Sequence, residues 1–109
     1  RAVMGHVVAT IANVALVTAD NPRDESAKSI CDEIVAGMTL CSDEGVRIIV
    51  ETDRRRAITQ AIAIGKQGDC IAILGKGHEN YQEIAGQRLP FDDRVVAKQA
   101  LLNYIQLVK

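Results

Sequence analysis

The stretch VRIIVETDRRRAITQAI, residues 46–62, decides the fold class. Val46 to Val50 is apolar and β-branched apart from Arg47, which is how a strand buried within a sheet reads. Glu51 and Thr52 break the run. Asp53 then stands where a helix N-cap stands, its carboxylate able to accept from an orphan amide of the first turn. Beyond it Ala57, Ile58, Ala61, Ile62 and Gly65 recur at helical spacing and predict a helix as far as Gln67. One buried strand feeding one amphipathic helix is half of a parallel βαβ unit.

The same alternation runs outward in both directions. Upstream, Ala2 to Ile11 reads as an apolar helix and Val14 to Val17 as a short strand that ends at Thr18-Ala19-Asp20-Asn21-Pro22. Ser26 caps a helix carrying Ala27, Ile30, Cys31, Ile34, Val35 and Met38 on one stripe, and residues 41–45 form a loop. Downstream, Ile71 to Leu74 reads as a third strand. Tyr81–Ile84 and Gln87–Leu89 flank Ala85-Gly86 as a hairpin, and Asp92 or Asp93 opens a last helix with Val95, Val96, Leu101, Leu102 and Ile105. Apolar strands alternating with amphipathic helices predict a doubly wound, Rossmann-like α/β domain: a mostly parallel sheet with helices on both faces, plus a small hairpin.

Composition fits a single domain. The chain has 109 residues, of which 48% are hydrophobic but only 3% aromatic (Tyr81, Phe91, Tyr104), so Ile, Val, Leu and Ala must build the core. So few aromatics exclude a stacking platform for single-stranded nucleic acid. Thirteen basic against fourteen acidic residues leave a net charge of −1, with no general attraction to DNA or anionic membranes. No run approaches the ~18 apolar residues of a membrane span. Cys31, Cys41 and Cys70 lack C-x-x-C spacing, as expected of reduced core thiols in a cytoplasmic protein. The chain opens at Arg1 without an initiator Met and is expected to be a piece of a longer product.

Ligands of doubly wound sheets bind outside the carboxyl ends of the strands, which singles out segments 20–25, 51–56 and 75–83. Familiar motifs fail there. Gly75-Lys76-Gly77 begins like a dinucleotide fingerprint, but Asn80 takes the sixth position, and Lys76 lacks the Gly and Ser/Thr of a phosphate-binding loop. His78-Glu79 begins like H-E-x-x-H, but Gln82 takes the fifth position. With only His6 and His78 in the chain, no metal site and no catalytic residue is expected from this segment.

The loops still carry chemistry. Pro22 restricts Asn21, so Arg23 leaves the sheet edge in a fixed direction and can grip a carboxylate or phosphate with two parallel bonds; a solvated turn is the plain alternative. Glycines flanking Lys76 permit close backbone approach to a ligand, with Glu79 adding a negative group; a glycine-rich turn into the hairpin is the alternative there. Arg54-Arg55-Arg56 opposes the helix dipole unless an anion is near, and otherwise reads as a solvated face offset by Asp53 and Glu51.

Asp20-Asn21-Pro22-Arg23, then Leu74-Gly75-Lys76-Gly77-His78-Glu79-Asn80-Tyr81-Gln82, then Pro90-Phe91-Asp92-Asp93-Arg94 resembles, in that order, the carboxy-terminal domain of the Mur ligases. The resemblance covers nearly the whole chain and is to the members that add meso-diaminopimelate. It implies an ATP-dependent, amide-forming ligase of three domains that joins meso-diaminopimelate to UDP-MurNAc-L-Ala-D-Glu in peptidoglycan synthesis. Residues 1–109 would be its amino-acid-binding domain. It also implies that Asn21 and Arg23 contact diaminopimelate, that Asp20 and Pro22 complete the recognition tetrapeptide, and that Gly75 and Glu79 bind from the loop after the third strand. An Arg fork would answer the distal carboxylate that lysine lacks, and a Glu would answer the ammonium.

Family members carry a glycine-rich strand and an acid–Arg–acid element just before the position of Arg1, and their ATP and Mg²⁺ sites lie mainly in other domains. The resemblance therefore implies a missing first strand and a chain inactive as a ligase alone. A lysine-adding ligase and a non-enzymatic α/β binding domain are the alternatives.

Overall fold

A computed structural model describes residues 2–20, 26–39, 46–76 and 79–108. In chain order the elements are α1 (Ala2–Ile11), β1 (Val14–Val17), α2 (Ala27–Thr39), β2 (Arg47–Val50), α3 (Arg54–Ile64), β3 (Tyr81–Ile84), β4 (Gln87–Pro90) and α4 (Asp93–Val108). β1 and β2 pair in parallel, from Val14 opposite Arg47 to Val17 opposite Val50. The Glu51 amide extends the ladder by donating to the Val17 carbonyl at 2.9 Å, so both strands deliver their following loops to one edge.

Local chemistry sets the element ends. The Ser29 amide donates to Ser26 Oγ (3.0 Å) and the Arg56 amide to Asp53 Oδ1 (3.1 Å), the two expected N-caps. Helix α3 stops at Ile64, short of Gln67, because Gly65 turns extended at φ −60°, ψ 144°. A Cβ at Gly65 would sit 2.9 Å from Ile71 Cδ1, so the returning chain presses directly on this point. Ala85 (φ 51°) and Gly86 (φ 78°) form the two-residue turn of the β3–β4 hairpin, both with the positive φ of a type I′ turn.

The core is split. Ala9, Ala15, Val17, Ile30, Cys31, Ile34 and Met38 form one cluster from α1, α2 and β1, with β2 packed against it through Ile48. A Cβ at Gly5 would fall on the Ile34 carbonyl oxygen, which is why α1 and α2 can approach so closely. Ile58, Ile62, Phe91, Val96 and Ala100 form the second cluster between α3 and α4.

The fold is the expected mixed α/β type, with two departures. Ile71–Leu74 is not a strand: no ladder partner lies beside it among the described residues, and the Leu74 carbonyl is taken by the Arg54 guanidinium. Only Ile73 of this segment packs inward, on the second cluster. Cys70 is not a core thiol either. It is exposed on the turn that carries the chain away from α3, whereas Cys31 is buried. Cys41 and the 41–45 loop lie outside the described residues. No described helix is long and apolar enough to cross a membrane.

Candidate functional site

The buried face of α3 begins with a charge. Arg54 is 4% exposed and shares its stripe with Ala57, Ile58 and Ile62. On α4 the same is true of Asp93, buried in line with Val96 and Ala100. The two meet as a bidentate pair: Arg54 Nε donates to Asp93 Oδ1 (2.8 Å) and Nη2 to Asp93 Oδ2 (2.6 Å). Nη2 also donates to the Leu74 carbonyl (3.0 Å) and Nη1 to the Ala19 carbonyl (3.3 Å). The reading of Arg54 as part of a solvated face is thus corrected: its neighbours Arg55 and Arg56 are exposed, while Arg54 sits on the side that α3 turns towards α4. Its position three and four residues before Ala57 and Ile58 was the available sign, because that spacing places it on the apolar stripe.

Ala19 and Leu74 immediately precede Asp20 and Gly75, and these two expected site residues are brought together. A Cβ at Gly75 would lie 3.4 Å from Asp20 Oδ2, and Gly75 has φ +113°, a conformation that favours glycine. The Asp20 backbone carbonyl accepts from Gln82 Nε2 at 2.8 Å, tying this loop to β3. Lys76 turns inward. It is 3% exposed, its ammonium donates to the Tyr81 carbonyl, and it stands 3.6 Å from Asp20 Oδ1. At that distance the charges attract without a hydrogen bond, and Asp20 Oδ1 has no hydrogen-bond partner among the described residues; neither has Thr18 Oγ1.

Glu79 lies where the loop returns to the hairpin. Its amide donates to the Lys76 carbonyl (3.3 Å), and its carboxylate accepts from the Tyr81 hydroxyl (3.2 Å). The Tyr81 ring also carries the Arg88 guanidinium 4.4 Å from its centre and the Lys76 ammonium at 5.5 Å, each within cation–π range. Asn21, Pro22, Arg23, Gly77 and His78 lie outside the described residues.

Burial, with Asp32 nearby, pushes the Cys31 thiol up, so it stays protonated at neutral pH and is no nucleophile. Arg94 holds the Asp92 carboxyl below its ordinary value through a side-chain hydrogen bond, helped by its own backbone amide; this is a helix cap.

Residues 1–77 match the family described as Mur ligase, glutamate ligase domain. The chain belongs to the Mur ligase family. Among its curated relatives is the UDP-N-acetylmuramoyl-L-alanyl-D-glutamate–2,6-diaminopimelate ligase of Gloeobacter violaceus, 46% identical over 101 residues that make up 93% of this chain and 20% of that protein. The Aquifex aeolicus protein of the same name is 45% identical over the same shares. A solved structure of a ligase so named superposes with a TM-score of 0.81 at 39% identity, covering 95% of this chain and 21% of that one. The chain therefore spans about a fifth of the length of the Mur ligases it matches.

Proposed function

We propose that this chain is the amino-acid-binding, carboxy-terminal domain of a longer, cytoplasmic Mur ligase that joins meso-diaminopimelate to UDP-MurNAc-L-Ala-D-Glu. The observation that carries the reading is the meeting of the Asp20 and Gly75 loops at the carboxyl end of β1, where Asp20 Oδ1 lacks a hydrogen-bond partner among the described residues. A buried carboxylate oxygen short of a donor is suited to an ammonium or amide of a ligand. The names of the relatives supply the substrate class.

In this reading Asp20, Asn21, Pro22 and Arg23 form one wall and Gly75 and Glu79 the other. Arg23 grips the distal carboxylate of diaminopimelate with two parallel bonds, Glu79 answers the adjacent ammonium, and the opposite amine is left pointing at the acceptor. ATP with Mg²⁺, held by the rest of the ligase, supplies activation of the acceptor carboxyl as an acyl phosphate. In this reading the domain's contribution is to orient the amino acid. Holding the amine in line with its target is itself worth orders of magnitude in rate, but the domain on its own is not a ligase.

The test is amino-acid choice by the full-length ligase. The unaltered enzyme should use meso-diaminopimelate in strong preference to lysine, and Arg23→Ala should lower kcat/KM for diaminopimelate by about a hundredfold or more, the loss of two charged hydrogen bonds. Equal use of lysine by the unaltered enzyme would overturn the substrate assignment.

A further inference from the structure

We propose that Arg54, locked by Asp93, is a positioning residue: it sets the spacing of the Asp20 and Gly75 loops and through it the affinity for the incoming amino acid. The inference rests on the reading that these loops form the amino-acid site. A buried ion pair by itself is weak grounds for any role; the carbonyl contacts are what distinguish this one. A guanidinium has five N–H groups in a rigid plane, and here four hydrogen bonds use that plane to join α3, α4 and two separate loops. The carboxylate of Asp93 takes the Nε edge and fixes the plane, and the remaining donors reach the last carbonyl before Asp20 and the last carbonyl before Gly75. Neither carbonyl belongs to a sheet ladder, so the guanidinium stands where a neighbouring strand would otherwise hold the Gly75 loop in register. Moving Arg54 would move both walls of the site relative to each other without touching the ligand.

Steady-state kinetics of the full-length ligase with Arg54→Lys beside Ile62→Ala tests this. Lysine keeps the buried positive charge, but one compact ammonium cannot span two carboxylate oxygens and two carbonyls on different segments. Ile62 lies in the same α3–α4 cluster, eight residues beyond Arg54 on α3, and truncating it loosens packing without removing a donor. Arg54→Lys should raise KM for the amino acid about ten- to a hundredfold, as a small misplacement of binding groups does, with KM for ATP and for the nucleotide sugar within about twofold. Amide exchange in segments 17–20 and 73–76 should quicken in the same variant. Ile62→Ala should lower the melting temperature at least as far and leave the amino-acid KM in place.

An amino-acid KM that stays within about twofold in Arg54→Lys, or that rises equally in Ile62→Ala, would show that the pair only holds the fold. If Arg54→Lys does not accumulate as folded protein, Asp93→Asn, which frees the guanidinium plane while keeping one oxygen acceptor, is read by the same criterion. If the unaltered ligase prefers another amino acid, the substrate assignment fails, and the positioning role is judged on the KM for the amino acid that it does take.

Discussion

The two clusters of the split core are built on different physics. Around α1, α2 and β1 the buried cluster is built of apolar residues, and the helix backbones approach closely at Gly5 against the Ile34 carbonyl. Between α3 and α4 the apolar stripe ends in an ion pair, and beyond that pair Lys76, Gln82 and Asp20 continue as a polar seam to the hairpin. Apolar packing fixes how far apart two elements lie but tolerates sliding; directional bonds fix where a loop's atoms point. The half with the seam is the half in which the candidate site lies, because a binding loop needs its direction set as well as its distance.

Three measurements on stability would break or sharpen that contrast. The largest effect is expected at Arg54→Ala, which leaves the Asp93 carboxylate buried and unpaired and should cost about 3–5 kcal/mol in urea unfolding. A cost no larger than that of a surface substitution would mean that water reaches Asp93 and that the polar seam is not structural. Gly5→Ala probes the apolar half: the added methyl must drive α1 and α2 apart, for about 1–3 kcal/mol. An unchanged midpoint there would show that the first cluster slides to absorb a methyl, weakening the claim of close backbone contact. Smallest, and opposite in sign, is Ala85→Asn. An alanine at φ 51° is strained, whereas Asn-Gly is favoured in this turn, so stability should rise by up to about 1 kcal/mol. A fall in the unfolding midpoint would place the strain of the hairpin elsewhere.

The apolar half was legible in the sequence because its elements obey one rule each. Val14–Val17 is a continuous apolar run, Ile30, Ile34 and Met38 recur at helical spacing, and Ser26 caps by side-chain chemistry visible at a single position. The hairpin was equally plain, since Ala85-Gly86 separates two short strands in perfect register. The polar half was harder to read. Ile71–Leu74 has the composition of a strand, but a strand exists only beside a partner, and here a side chain from α3 takes the Leu74 carbonyl instead. Charge itself misled at Arg54: it read as part of a solvated face, and it is buried because a long-range acceptor, Asp93, meets it. Of the expected site residues, Asp20 and Gly75 stand side by side and the Glu79 amide closes back on Lys76, while Asn21, Pro22 and Arg23 lie outside the described residues.

The hairpin turn has a reach greater than its two residues. Tyr81, at the far end of β3, stands opposite Pro90 in the register that the two-residue turn Ala85-Gly86 allows. Side chains alternate faces along a strand, so a single extra residue at the tip would send the Tyr81 ring to the opposite face of the hairpin. The hydroxyl that meets Glu79, the carbonyl that receives Lys76 and the ring beneath Arg88 would all leave together. The tip thus works as a length gauge: an insertion in this exposed turn would be transmitted, through strand parity, to the loop of the candidate site.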